Sequence, residues 1–253
     1  MTQNFRVDKL EVQVHPSYHA MSEAATQRFA QVIQQVLAQK QTARAIFAVA
    51  PSQYGFQERA AQRGDIDWPR ITCFHMDEYV GLDQNDTGSL AKMFYQKLIA
   101  PAKPAAFHAI NGRAALVFEE CWRYEKLLRE QPIDVCVLGI GENGHIAFNE
   151  PHMADFDDPV WVKPVRLDEK SRMQQAREKT FGSEAAVPTH AITLTVPALL
   201  SAQTMICIVP GAHKAEAVQQ TLKGPISTDC PATGLRNHPR AELFLDQESA
   251  SQL

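Results

Sequence analysis

The chain has 253 residues, of which 45% are hydrophobic and 21% charged, and its formal net charge is −4 at pH 7. This length and composition predict a single domain over residues 1–253, with a core large enough to fold without disulfides or a structural metal. Because Lys and Arg are interspersed with Asp and Glu and form no basic block, the charge pattern argues against a nucleic-acid-binding protein.

Apolar periodicity predicts an alternation of helices and strands along the chain. In chain order we expect a helix (18–39), a strand (43–50), a helix (53–62), a strand (71–76), two helices (89–99 and 115–128) and a strand (133–141). A loop or lid is expected over the Asp- and Pro-rich residues 151–164. A helix (167–179), two strands (190–196 and 204–210), a helix (212–222) and a strand that closes the sheet (241–246) complete the chain.

Strands that alternate with helices predict an α/β fold, here a single-domain, Rossmann-like, mostly parallel sheet with helices on both faces. The five cysteines are far apart and form no CxxC pair, which is typical of a reducing compartment. The first residues lack the apolar segment of a signal peptide, and no apolar run approaches the ~20 residues that span a bilayer. We therefore expect a cytoplasmic protein without a membrane partner.

Ligands of open α/β sheets bind outside the carboxyl ends of the strands, so residues that directly follow a buried strand are candidates for function. Asp77 and Glu78 follow the strand ITCFHM. Burial raises the pKa of a carboxyl group and prepares it for proton transfer. The alternative, that Asp77 caps the next turn and Glu78 faces water, stays open at this point.

The second candidate is GIGENGHIAFNEP, which follows the clearest buried strand. Its glycines match GxGxxG formally, but a dinucleotide-binding glycine motif opens a long helix, and Pro151 leaves little room for one. We interpret Gly141 and Gly144 as part of a turn that brings backbone N–H groups to a ligand and projects His145 into the crevice. Glu150 is close enough in sequence to orient the imidazole, although a histidine buried in the core is the alternative.

Two further strand ends carry groups suited to an anion. Ser52 opens a helix and offers a hydroxyl and backbone N–H groups, although an ordinary N-cap serine needs no ligand. Lys214 lies in the first turn of a helix, where a cation is unfavourable unless an anion is near, although a solvated lysine is the alternative. His75 beside Asp77 suggests a metal pair, but no HExxH or CxxC spacing accompanies it, and we expect no metal.

The segments FHMDEYVGL, GENGHIAFNEP and VPGAHKAEA, in this order, resemble the glucosamine-6-phosphate deaminase/isomerase family, a relative of the 6-phosphogluconolactonases. The resemblance covers about residues 46–245, and the IAFNEP continuation is similar to the deaminases. It implies isomerisation of a hexosamine 6-phosphate with loss of the 2-amino group as ammonia. The substrate would be a small sugar phosphate, with no organic cofactor and no catalytic metal. Family members occur as monomers and as homo-oligomers, and the sequence does not choose between them.

The resemblance also implies roles for individual residues. His145 would open the sugar ring as an acid/base supported by Glu150, and Asp77 would move the C2 proton of the open-chain sugar to C1. The expected substrate contacts are Ser52, Gln53, Gly141, Gly144, Arg172, Arg177 and Lys214.

Two departures from the family pattern stand out. Asn143 occupies the position of an aspartate, and it can orient His145 but carries no charge to stabilise an imidazolium. Residues 50–53 read Ala-Pro-Ser-Gln instead of a glycine-rich phosphate loop, and proline removes one N–H donor. These departures leave a non-catalytic sugar-phosphate-binding regulator as one alternative. A second is a 6-phosphogluconolactonase-type hydrolase in which His145 activates water.

Overall fold

The computed structural model describes residues 2–169, 172–173, 176, 181 and 183–253. They contain an eight-stranded and a three-stranded sheet. The strands of the larger sheet are β1 Gln3–Val7, β2 Leu10–His15, β3 Ala43–Phe47, β4 Ile71–His75, β6 Ala106–His108, β7 Val135–Leu138, β10 Thr204–Val209 and β11 Ala241–Asp246. The smaller sheet contains β5 Asp77–Tyr79, β8 Val162–Arg166 and β9 His190–Leu194.

Helices connect most of the strands. They are α1 Tyr18–Gln39, α2 Pro51–Gln62, α3 Leu90–Phe94, α4 Ala100–Ala102, α5 Val117–Arg129, α6 Val196–Leu200 and α7 Ala215–Lys223. A π-helical turn, Tyr95–Ile99, joins α3 to α4, and a 3-10 turn, Ala212–Lys214, precedes α7. Among the described residues, no helix is both long and apolar enough to cross a membrane.

The larger sheet has the strand order β1-β2-β11-β10-β7-β3-β4-β6. All its neighbouring strands are parallel except the hairpin pair β1 and β2. Side chains along β10 alternate between two apolar clusters, with Met205, Cys207 and Val209 in one and Ile206 and Ile208 in the other. The sheet is therefore covered on both faces, and the predicted mostly parallel α/β fold is confirmed.

Three predictions about the strands need correction. Residues 241–246 do not close the sheet, because β11 lies between β2 and β10 and the N-terminal hairpin forms that edge. The predicted strand 190–196 forms β9, which pairs antiparallel with β5 and β8 in the smaller sheet. The predicted loop 151–164 ends earlier than expected, because β8 begins at Val162.

The predicted helix 167–179 is only partly described. Leu167 is not helical, since its N–H donates to the carbonyl of Thr189 at 2.9 Å. Asp168 is not helical either, Glu169, Arg172, Met173 and Ala176 are helical, and the remaining positions lie outside the described residues.

The strand order places a switch point beside β3. After β3 the chain continues outward to β4 and β6, then returns to β7 on the other side of β3. Ligands of doubly wound sheets bind at such a point, outside the carboxyl ends of the strands. The carboxyl ends of β11, β10, β7, β3 and β4, which are consecutive in the sheet, all lie at this edge.

Candidate active site

A cavity of about 480 Å³ opens at the carboxyl edge of the larger sheet. Residues that follow five consecutive strands line it. Those predicted as functional are Ser52, Gln53, Asp77, Gly141, His145 and Lys214. The structure therefore brings Asp77 and His145, far apart in the chain, to the same cavity.

Asp77 begins β5, the short strand of the smaller sheet that follows β4. The residue is only 7% exposed, and within the described residues its carboxylate accepts no hydrogen bond. Burial and the nearby charge of Glu78 raise the pKa of this carboxyl group to about 8. A buried carboxylate facing a cavity without a protein donor is suited to exchanging a proton with a ligand.

Glu78 has a structural role that differs from both sequence interpretations. It is fully buried and accepts hydrogen bonds from Ser89 Oγ at 2.6 Å and from the backbone N–H groups of Tyr79, Leu90 and Ala91 at 2.8, 3.1 and 2.9 Å. Burial raises the pKa of its carboxyl group, whereas these hydrogen bonds oppose the shift. Glu78 thus caps α3 instead of facing water, and Asp77 caps no turn.

His75 is buried in the core and does not line the cavity. The N–H of Ile110 donates to its Nε2 at 2.8 Å, so Nδ1 carries the proton. Burial lowers the pKa of the imidazole to about 3. The suggested pairing of His75 with Asp77 as metal ligands therefore has no support in this geometry.

The turn after β7 needs its glycines for different reasons. A Cβ at Gly141 would lie 2.2 Å from Cε1 and 2.3 Å from Nε2 of His145, so only glycine lets the ring lie against this turn. Gly144 has φ +84° and does not line the cavity, so its direct role is in the turn. Ala147, which does line the cavity, has φ +50°, a strained conformation of the kind that concentrates at functional sites.

Asn143 and two carboxylates form what we call the amide clamp: Asn143, Glu150 and Asp168. Asn143 Nδ2 donates to Glu150 Oε2 at 2.6 Å and to Asp168 Oδ2 at 3.3 Å. Asn143 Oδ1 lies 2.7 Å from Nδ1 of His145 and accepts from the backbone N–H of the same residue at 3.2 Å. Glu150 is fully buried, and its Oε2 lies 3.3 Å from His145 Nδ1.

The clamp determines the tautomer of the neutral imidazole. Carboxylate oxygens can only accept hydrogen bonds, so the NH₂ group of Asn143 must face them and its carbonyl oxygen must face His145. A carbonyl oxygen also only accepts, so Nδ1 of His145 carries the proton. Nε2 is then the ring nitrogen that carries the lone pair.

The motif IAFNEP has a structural explanation at each of its polar positions. Asn149 is fully buried, and its Nδ2 donates to the carbonyl oxygens of Ile146 and Leu194, both at 2.8 Å. The N–H of Phe148 donates to Thr193 Oγ1 at 3.0 Å. The bonds to Thr193 and Leu194 attach the loop that carries His145 to β9. Sequence reasoning assigned no role to Asn149, although its place inside the motif was a signal.

The predicted anion site lies at the first turn of α2. Ala50 is the N-cap without a side-chain cap bond, so Ser52 is not an N-cap serine. Gln53 Nε2 donates to the carbonyl of Ile208 at 3.1 Å, which ties this turn to β10. Tyr18 also lines the cavity, and its hydroxyl accepts the N–H of Gly55 at 2.8 Å. Tyr18 was missed because nothing in the local pattern at the start of α1 links it to α2.

Lys214 is only 4% exposed and lines the cavity, so it is not a solvated surface lysine. Asp246 at the end of β11 accepts the N–H of Gly211 at 3.0 and 3.1 Å, and Gly211 has φ +90°. These contacts position the turn before α7 that carries Lys214. Asp246 also lines the cavity and was missed, because it ends the last strand without a recognisable motif.

The structure describes only one of the two predicted arginines. Arg172 Nη2 donates to the carbonyl of Val187 at 3.3 Å, and the residue does not line the cavity. Arg177 lies outside the described residues. Their assignment to the substrate stays a prediction.

The model of the family of glucosamine-6-phosphate isomerases and 6-phosphogluconolactonases matches residues 16–244. The chain belongs to this family. It is 39% identical over 191 residues to a glucosamine-6-phosphate deaminase of Listeria monocytogenes serotype 4a, covering 76% of this chain and 80% of the relative. It is 40% identical over 190 residues to a glucosamine-6-phosphate deaminase of Bacillus cereus, covering 75% of this chain and 71% of the relative.

Solved structures agree with this family assignment. A monomeric glucosamine-6-phosphate deaminase superimposes with a TM-score of 0.88 at 30% identity, covering 96% of this chain and 99% of the other. A 6-phosphogluconolactonase from Thermotoga maritima superimposes with a TM-score of 0.77 at 18% identity, covering 94% and 100% of the two chains. The second likeness concerns the fold alone. The predicted family and fold are confirmed.

Proposed function

We propose that the protein converts glucosamine 6-phosphate, or a closely related hexosamine 6-phosphate, into the ketose 6-phosphate and ammonia. The observation that carries this proposal is the meeting of Asp77 and His145 in one cavity of about 480 Å³. The deaminases that are 39–40% identical to this chain support the choice of reaction. A cytoplasmic location and the oligomeric state stay predictions.

His145 acts first, on the closed pyranose. With Nδ1–H held by Asn143 Oδ1, the ring exchanges a proton at Nε2 with the sugar's ring oxygen and with the anomeric hydroxyl, which opens the ring. Glu150, whose Oε2 is 3.3 Å from Nδ1, stabilises the imidazolium that forms during the transfer.

Asp77 acts on the open-chain aldose. Its carboxylate removes the C2 proton, and the electron pair forms the C1–C2 double bond of an enolamine while the C1=O π bond breaks and O1 takes a proton from water. The same carboxyl group then returns its proton to C1. The resulting imine at C2 adds water and releases ammonia, leaving the ketose. Because its pKa is about 8, the carboxyl group can gain and lose a proton near neutral pH.

Lys214 and the first turn of α2 bind the phosphate group. Lys214 is buried at one strand end of the cavity, and Ser52 lies in the first turn of α2 at another. Binding energy from a phosphate held away from the reacting carbons positions C1 and C2 against Asp77. Pro51 removes one backbone donor from this turn, so we expect Lys214 to contribute a large share of phosphate binding.

Incubation of the purified protein with glucosamine 6-phosphate and related sugar phosphates, with ammonia and ketose measured, tests the proposal. We expect both products in equal amounts from an amino sugar phosphate, and none after Asp77→Asn. Turnover of 6-phosphogluconolactone without ammonia would instead show a lactonase. Thermal stabilisation by sugar phosphates without any turnover would show a binding protein, and either result refutes the proposal.

A further inference from the structure

Asp168 contacts the site from a part of the chain that the proposed reaction does not use. Its Oδ2 lies 3.3 Å from Nδ2 of Asn143, and its backbone carbonyl accepts the N–H of Arg172 at 3.1 Å. The preceding residue, Leu167, is fixed to Thr189 by a backbone hydrogen bond of 2.9 Å. Asp168 thus joins the amide clamp to the start of the helical residues that include Arg172.

We propose that Asp168 is a positioning residue that, together with Glu150, fixes the orientation of the Asn143 amide and thereby the tautomer of His145. The proposal rests on the proposed function for its kinetic consequences, but its structural claim concerns the free protein. Asp168 acts through Asn143 and touches no reacting atom.

The argument begins with the two hydrogens of the Asn143 NH₂ group. Glu150 Oε2 takes one at 2.6 Å, and Asp168 Oδ2 is the acceptor for the other at 3.3 Å. Rotating the amide by 180° would turn its carbonyl oxygen toward two carboxylates, which is unfavourable, and its NH₂ toward Nδ1 of His145. The neutral ring would then carry its proton on Nε2 and have no lone pair for the ligand.

The same contacts explain why an amide suits position 143 in this chain. A carboxylate there would place an oxygen where Nδ2 now lies, 2.6 Å from Glu150 Oε2 and 3.3 Å from Asp168 Oδ2. Three carboxylates at these distances cannot all be ionised, so one would hold a proton at neutral pH. With asparagine at position 143, the carboxylates of Glu150 and Asp168 are each joined to the imidazole through the amide of Asn143.

The direct test is the tautomer of His145 in the free protein, measured by ¹⁵N NMR of the imidazole at a pH where the ring is neutral. In the wild-type protein we expect the proton on Nδ1. In Asp168→Asn we expect a mixture of both tautomers, and in the matched control Asp67→Asn, a half-exposed surface position, the wild-type signal. An unchanged tautomer in Asp168→Asn overturns the proposal, whether or not the protein turns over glucosamine 6-phosphate.

Kinetics separates this role from a structural one. If Asp168 acts through Asn143, Asp168→Asn lowers kcat about three- to tenfold, with little change in KM and an altered pH profile of kcat. If Asp168 serves only to begin the helical segment that carries Arg172, the Asp168→Asn variant has a raised KM and an unchanged kcat. That result overturns the proposal. If wild-type protein is inactive on every amino sugar phosphate, the proposed function fails while the NMR result still decides the role of Asp168.

A double-mutant cycle tests the charge argument. Asn143→Asp is expected to lower kcat about tenfold or more in the wild-type background, because it adds a third carboxylate. In the Asp168→Asn background the same change restores the original number of charges, so its cost is expected to fall at least threefold. If the fold-changes in kcat of the two single variants simply multiply in the double variant, the two side chains are not energetically coupled. That result would overturn the proposal.

Discussion

Replacing Asp77 by asparagine is expected to abolish catalysis and at the same time to stabilise the protein at alkaline pH. Asp77 is 7% exposed, and within the described residues its carboxylate accepts no hydrogen bond. Burial and the charge of Glu78 raise the pKa of its carboxyl group from 3.8 to about 8. The folded protein therefore favours the protonated form, whereas the unfolded chain loses this proton near pH 4.

The sign and size of the effect follow from this difference. The contribution of the carboxyl group to stability is fully present below pH 3.8, decreases as the pH rises, and is lost above about pH 8. The upper limit of the loss is about 2 kcal/mol at pH 5 and about 5 kcal/mol at pH 8. Because protein interiors relax around a charge, we expect about 1–3 kcal/mol at pH 8, or roughly 3–9 °C in Tm for a chain of this size.

The assay is the melting temperature of the wild-type and Asp77→Asn proteins from pH 4 to pH 9. The two curves are expected to coincide near pH 4 and to separate up to pH 8, with the variant more stable. Asp67→Asn, which changes a half-exposed carboxylate, is expected to show no such separation. A Tm difference that does not grow with pH would refute the reasoning. A wild-type pH–activity profile in which activity falls on the acidic side only near pH 4 would also refute it.

Three further outcomes are expected in steady-state kinetics with glucosamine 6-phosphate. Lys214→Met removes the buried ammonium at the proposed phosphate site and should raise KM about 10- to 100-fold, whereas Lys223→Met at the end of α7 should not. Gly141→Ala places a Cβ 2.2 Å from the imidazole of His145 and should lower kcat at least tenfold, whereas Gly64→Ala, with nothing within 4 Å, should be neutral. Tyr18→Phe removes a hydroxyl beside the first turn of α2 and should raise KM about two- to tenfold; an unchanged KM would exclude Tyr18 from the anion site.

The strands that carry the site were predictable because they are buried on both faces. All residues of β7 and β10 are buried, and their sequences VCVL and TMICIV read as short apolar runs without polar alternation. In a parallel sheet, such runs place the following loops at one edge. Local sequence was therefore sufficient to bring the loops after β3, β4, β7 and β10 together.

The hairpin and the smaller sheet were not predictable from local patterns. The five residues of β1 are exposed or half-buried, so QNFRV carries no apolar signal, and the strand exists through its pairing with β2. Strand β5 has only three residues, and β8 contains Pro164, which argues against a strand. Both are strands because they pair with β9, a contact between segments that are distant in the chain.

The roles of Asp77 and Glu78 depend on that unpredicted sheet. Side chains alternate along a strand, so two adjacent carboxylates in β5 point in opposite directions. Asp77 and Tyr79 line the cavity, whereas Glu78 caps α3. From the sequence alone, Asp77 and Glu78 come directly after a strand. Local pattern therefore could not show that the two side chains lie on opposite faces of β5. In the same way, Asn143 was read as the loss of a charge, because Asp168, 25 residues further along the chain, shares no local pattern with it.

Strand β9 sets the position of Asp77 relative to His145. Thr193 pairs with Asp77 in the register of β5 and β9, and its Oγ1 accepts the N–H of Phe148 at 3.0 Å. The carbonyl of the next residue, Leu194, accepts Asn149 Nδ2 at 2.8 Å. The loop that carries His145 is thus bonded to the strand that carries the partner of Asp77. Since a misplacement of about 1 Å between reacting groups can cost about 100-fold in rate, this direct connection explains why the motif extends beyond His145 to Asn149 and Glu150.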